Sequence, residues 1–394
     1  MNYIKLNKKK TLQRHHAISI AHEDLLHCIS PCGVVAGLHH FIDLWARDSL
    51  FATFGATALG DFGITKKTIQ TFLAYQRNDG LIPYRILRSP TTIGKYFGKP
   101  RYFPEPRPDF RSHQSGGLVL DGGLMAVIST AEYVWVSSDA QFLKQHYQQL
   151  HNAMDWYHDR FRDGLLSEWF QCEWADGILK AGKVLYTNVL YCRSLFDMEK
   201  LAHSSGRIGD AKEWRTRAEM VQEYINNIFW NGSYFSDWCD YQRQDYFSSG
   251  SNMLAVVLGV ATQKQSESIL HYAKQHCWNQ WTLETNHPTY PWWRIPLQSY
   301  LAGVADYCNR GVLWLQPGIL YAIALHKTGN TIEAKNVMKI ISEKIVEYNG
   351  VYEIYEKSGE PVKRIFYQSE HPFAWSAGLY LWANRLIFGK YGKV

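Results

Sequence analysis

The sequence predicts an all-α fold, an (α/α)6 barrel in which six helical hairpins close into a double ring. Three observations carry this reading. About a dozen segments place apolar residues at helical period, with connectors rich in Gly, Pro and Asn between them almost from end to end. No run of strand-like alternation competes with them. No shift in composition along the 394 residues marks a linker, so residues 1–394 read as a single (α/α)6 domain.

Taken in order, helices are expected over 44–59, 65–75, 118–136, 140–157, 184–203, 208–229, 249–258, 263–275, 296–308, 312–327, 331–348 and 372–388. The segment from Thr331 to Tyr348 shows the logic. Ala334, Val337, Met338, Ile341 and Ile345 fall on one face, Thr331 can cap the start and Gly350 follows the end. Twelve helices in sequential hairpins supply six inner and six outer helices, with a pocket at one end lined by the loops that enter and leave the inner ring. Ahead of them, residues 1–14 carry Lys5, Lys8, Lys9, Lys10 and Arg14 without an acid and read as a basic, frayed arm.

Composition narrows the class. Hydrophobic residues make up 46% of the chain and charged residues 20%, and no apolar run approaches the roughly 20 residues that cross a bilayer, so no membrane partner is expected. Most of the net charge of +6 sits in the basic arm, and the nearly neutral remainder offers no phosphate-binding face for nucleic acid. The N-terminus lacks the apolar core of a signal peptide, and seven scattered cysteines suit reduced thiols, so the expected location is cytoplasmic. Oligomeric state is left open.

Aromatic content is the informative statistic: 15 Trp, 25 Tyr and 18 Phe, often beside Arg, Asp or Glu. A sugar ring offers an apolar face that stacks on indole and a rim of hydroxyls for charged partners, so an oligosaccharide or glucoside is the expected ligand. Glycosidic bonds are broken by a pair of carboxyl groups. Acids in aromatic, non-helical surroundings occur in Trp45-Ala-Arg47-Asp48, in Glu173-Trp174-Ala-Asp176-Gly177, and in Val351-Tyr-Glu353-Ile-Tyr, with Glu370 shortly before the last helix. Asp176 follows Trp174, and a carboxyl against indole is pushed toward its protonated form, which suits a general acid. Either Glu353 or Glu370 could hold the attacking water. The bland readings are a turn aspartate for Asp176, an exposed charge for Glu353 and a helix-start acid for Glu370.

Other patterns are weaker. Gly177 to Lys183 has P-loop spacing, but Val184 replaces the hydroxyl residue and no strand precedes it. His22 and His27 miss zincin spacing by one residue. No cofactor and no metal are expected.

Segment by segment the chain resembles the (α/α)6 inverting α-glucosidases: the amylo-α-1,6-glucosidase domain of glycogen debranching enzymes and, more distantly, trehalases and processing α-glucosidases. Trp45-Ala-Arg47-Asp48 is similar to the segment that holds the hydroxyls of the non-reducing sugar, and Glu173-Trp174-Ala-Asp176-Gly177 to the acid segment. Asn188, Arg310-Gly-Val-Leu-Trp314, Gly350-Val-Tyr-Glu353 and Phe373-Ala-Trp375 follow in the family's order. The resemblance implies a glycoside hydrolase cleaving an α-1,6-glucosidic bond by inversion, with Asp176 as acid and Glu353 as base. It also implies a sugar site that includes Trp45, Arg47, Asp48, Trp174, Asn188, Arg310, Trp314 and Trp375, to which the residues add Arg85. The Arg-rich loop from Arg85 to Arg111 has no counterpart in the family. Two rivals remain: a sugar epimerase or isomerase using His113, His287 or His371, and a non-catalytic carbohydrate-binding protein.

Overall fold

The computed structural model describes residues 2–89, 102–161 and 163–389. Its helices, in chain order, are α1 (Asn2–His27), α2 (Ala46–Leu59), α3 (Phe62–Ala74), α4 (Asp121–Ser137), α5 (Ala140–Arg160), α6 (Leu185–Ser204), α7 (Ile208–Phe229), α8 (Ser249–Val257), α9 (Gln263–His276), α10 (Leu297–Leu301), α11 (Leu315–Lys327), α12 (Thr331–Glu347) and α13 (Ala374–Phe388). Six of these, α2, α4, α6, α8, α11 and α13, bury most of their residues. Helices apolar on all sides belong inside a protein. Each packs on the next, and α13 returns to α2, closing the inner ring.

The outer helices bury one stripe each. In α5 that stripe is Phe142, Leu143, His146, Tyr147, Leu150, Ala153, Met154 and Tyr157, the spacing of a helix with one face on a core. With α1, α3, α7, α9 and α12 it completes the outer ring, and the (α/α)6 barrel is the observed fold. Ring closure depends on two glycines. A Cβ on Gly378 would stand 2.4 Å from the Cα of Ala52, and one on Gly55 would stand 2.6 Å from the Cα of Gly378, so α2 and α13 cross at a distance that side chains forbid.

Two expectations are corrected. Helix α1 is absent from the sequence-based set because its buried stripe, Ala17, Ile18, Ala21 and Leu25, is diluted by His15, His16, His22 and His27. The backbone expected as a frayed arm is helical from Asn2. The helix expected over 296–308 shrinks to the five residues of α10, which Pro296 precedes and Gly303, at φ +71°, follows. Segment 90–101, with Arg101 of the Arg-rich loop, lies outside the described residues.

Short strands precede several inner helices: Leu44–Trp45 before α2, Lys183–Val184 before α6, Arg243–Ser248 before α8 and Leu313–Trp314 before α11. They pair with connectors, so that Trp45 sits opposite Arg85 and Trp314 opposite Ile354. Trp45, Trp314 and Phe373 are the residues before α2, α11 and α13, and all three line one cavity. The starts of the inner helices therefore converge at one end of the barrel. Among the described residues, no helix is long and apolar enough to cross a membrane.

Candidate active site

The cavity at that end measures about 580 Å³, within the usual range for small-molecule sites. Its wall brings together Trp45, Arg47, Asp48, Arg85, Trp174, Asp176, Trp314, Glu353 and Trp375, nine of the twelve residues singled out from sequence. Adjacent inner helices hold its floor. Arg47 of α2 donates through Nε to Asp121 of α4 at 2.7 Å, and its Nη2 lies 2.6 Å from the same oxygen. Asp48, one residue on, is pushed by burial up to about 7 against the pull of Arg47. Arg85 is buried with Asp43 at 2.8 Å, and its guanidinium lies 4.4 Å over the ring of Trp45, so its charge braces the aromatic wall.

Asp176 lies on the loop between α5 and α6. The flanks of this loop are fixed by a buried ion cluster, in which Lys180 Nζ reaches Glu173 at 2.9 Å and Asp237 at 2.8 Å. Tyr290 donates to Asp237 at 2.5 Å. Asp176 itself accepts one side-chain hydrogen bond, from Gln114 at 3.3 Å. Burial pushes its carboxyl up to about 6, against Arg47, with Glu173 adding to the rise. A carboxyl with few donors and a neighbouring negative charge is suited to carry a proton.

Glu353 is surrounded differently. It immediately precedes the two-residue strand Ile354–Tyr355 that pairs with Leu313–Trp314. Tyr307 donates to its Oε1, and Tyr367 to its Oε2 at 2.5 Å, with the backbone N–H of Glu370 at 3.3 Å. Burial pushes Glu353 up to about 8, and these donors pull the other way. Burial and the adjacent carboxylate push both tyrosines well above the usual range, so their protons stay on the hydroxyls and point at Glu353. Taken alone, the higher position of Glu353 would make it the acid. The donor pattern argues the reverse, because three hydrogen bonds directed at both oxygens favour the ionised, accepting form.

Three expected site residues are elsewhere. Glu370 is fully buried, and its carboxylate accepts the backbone N–H groups of Leu38 and His39 at 2.7 Å and of His40 at 2.6 Å. It anchors a loop and does not line the cavity. Asn188 is spent on the backbone, accepting from Leu166 at 2.8 Å and donating to Leu166 at 3.0 Å and Val184 at 2.8 Å. Arg310 pairs with Glu284 and donates to the carbonyl of His276 at 3.4 Å. Of the rival histidines, His113 lines the cavity, His287 stacks on His276 at 4.8 Å and His371 stacks on Tyr352 at 4.4 Å. Sequence reasoning missed Tyr307, Tyr367, Gln114, Gln298 and His40, which all line the cavity and belong to no local motif.

Residues 45–287 match the family described as the bacterial alpha-L-rhamnosidase 6 hairpin glycosidase domain. The fold is similar to that of a GH63 mannosylglycerate hydrolase from Thermus thermophilus, at 14% identity and a TM-score of 0.70 over 93% of this chain and 99% of that one. It is similar to a rhamnosidase from Klebsiella oxytoca, at 14% identity and a TM-score of 0.65 over 96% of this chain and 64% of that one. A GH78 family rhamnosidase of a Bacillus species gives 16% identity and a TM-score of 0.67 over 94% of this chain and 34% of that one. Compared with curated proteins, the chain has no significant match. The six-hairpin ring and the match across more than half of the sequence lead to one assignment: this chain belongs to the bacterial α-L-rhamnosidase six-hairpin glycosidase domain family and is a glycoside hydrolase.

Proposed function

We propose that this chain cleaves an α-glycosidic bond by single displacement with inversion, Asp176 protonating the leaving oxygen and Glu353 deprotonating a water on the opposite face of the sugar. The observation that carries the reading is the contrast between two carboxyls in one cavity: Asp176 has one side-chain donor, whereas Glu353 has two tyrosine hydroxyls and an amide. Asp48 and Arg47 are placed to take sugar hydroxyls, while Trp45, Trp174, Trp314 and Trp375 supply apolar faces. In inversion the base acts on water, so its carboxylate must be held ionised and aimed, the task that Tyr307 and Tyr367 perform.

The resemblance to amylo-α-1,6-glucosidases supports an α-linked glucose as the sugar. The matching family supports a second reading, an α-L-rhamnoside. Seven free cysteines support the cytoplasm as the working compartment. The test is a panel of α-glucosides, α-mannosides and α-L-rhamnosides. At least one is hydrolysed, and Asp176→Asn and Glu353→Gln each lower that rate by roughly 10²–10⁴-fold. Undiminished turnover in both variants, or cleavage of no member, overturns the reading. Interconversion of free sugars that requires His113 would favour an epimerase.

A further inference from the structure

The segment that follows Tyr290 carries a feature the reaction above does not use. Trp292 and Trp293 are 72% and 61% exposed, and Leu297 and Leu301 are 71% and 73% exposed. The two indoles meet edge to face at 5.8 Å. Single exposed apolar residues are ordinary, but a cluster of this size marks a surface that something covers. Its position says what. The turn Trp292–Arg294 hangs from the loop of Asp176: the N–H of Leu179 donates to the Arg294 carbonyl at 2.6 Å, and Arg294 Nη1 donates to the Leu179 carbonyl at 3.1 Å. Gln298 and Ser299, between the two leucines, line the catalytic cavity.

A second exposed pair stands on a neighbouring segment. Ile365 and Phe366 stand at 93% and 73% exposure on the hairpin that delivers Tyr367 to Glu353. Arg364 ties this hairpin to the first segment, donating to both carboxylate oxygens of Asp306 at 2.6 and 2.9 Å and to the carbonyl of Gly303 at 3.1 Å. The cavity below is not built for an anion. Its cations Arg47 and Arg85 are each paired with a carboxylate, and Asp48, Asp176 and Glu353 add three further acids among the described lining residues.

A general acid stands on the side of the departing group, so what adjoins the loop of Asp176 meets the aglycone. We propose that this rim, centred on Trp292 and Trp293, is the aglycone site, and that the leaving group is a neutral apolar or aromatic moiety. The proposal rests on the inverting reading for the direction in which the aglycone leaves. It accounts for why the aromatic segment adjoins the loop of the acid and why, among the described lining residues, both arginines are already paired with carboxylates.

The experiment compares methyl and p-nitrophenyl α-glycosides of gluco, manno and rhamno configuration, with Kd measured by calorimetry on Glu353→Gln to stop turnover. The aryl compound of the accepted sugar binds about tenfold tighter than its methyl counterpart, as expected for one buried ring. Adding Trp292→Ala and Trp293→Ala brings the ratio close to one. Equal affinity for the two glycosides, or a ratio that survives loss of both indoles, overturns the proposal. So does a shift from dimer to monomer in sedimentation with no aryl preference, which gives the rim to a second copy of the chain. An aryl preference that depends on the indoles, in a chain that hydrolyses neither glycoside, upholds the aglycone site and defeats the catalytic reading alone.

Discussion

Asp176 and Glu353 are pushed by burial to about 6 and about 8, and the proposed reaction needs the first protonated and the second ionised. The reverse pair holds the same number of protons, so kcat/KM follows a bell with limbs near those values under either assignment. A substrate that needs no acid separates them. On the α-glycosyl fluoride of the accepted sugar, Asp176→Asn retains turnover within about tenfold, and Glu353→Gln loses roughly 10²–10⁴-fold; equal losses would contradict the assignment. Stability gives an independent check. The folded Glu353 carboxyl holds its proton more tightly than an unfolded one, so its contribution is full below the ordinary carboxylate range and is lost as pH rises through about 8. Glutamine does not titrate, so the melting temperature of Glu353→Gln relative to the native chain should rise between pH 5 and 9. A gap that stays constant would show that burial does not strain this group. The place of Asp176 on the cavity wall was legible in the sequence because Trp174 and Gly177 flank it. The tyrosines on Glu353 were not, because they lie 46 and 14 residues away and meet it only through the fold.

Loops and strands account for the misplaced residues. A polar side chain near a helix start reads alike whether it faces a cavity or a backbone, which is why Glu370, Asn188 and Arg310 resembled site residues. Glu370 holds the loop 38–40, whose His40 joins the cavity wall. Glu370→Gln would turn an amide donor toward backbone donors, at a cost of about 1–3 kcal/mol. The expected result is a lower melting temperature with hydrolysis retained. A native melting temperature with catalysis lost would restore Glu370 to the chemistry. Strands of two residues, such as Leu44–Trp45 and Leu313–Trp314, are too short to show a period of two, yet they set Arg85 opposite Trp45 and Ile354, the residue after Glu353, opposite Trp314.

The ring as a whole was legible from the count of helical segments, although the count of twelve included 296–308 and omitted α1. Amphipathic stripes survive in sequence; a helix diluted by histidines does not, and α1 nevertheless steadies the site. Its Asp24 accepts the N–H of Val351 at 2.6 Å, two residues before Glu353. Closure between α2 and α13 depends on Gly55 and Gly378. Gly378→Val should cost at least about 1–3 kcal/mol by forcing the inner helices apart, seen as a lower unfolding midpoint in urea, and an unchanged midpoint would mean that the crossing is not tight. The barrel and the inverting reaction proposed for its two carboxyls meet in one measurement, the proton NMR spectrum of the first sugar released from a cleaved α-glycoside. The account predicts that the β-anomer appears first and the α-anomer grows only by mutarotation. First release of the α-anomer would contradict it.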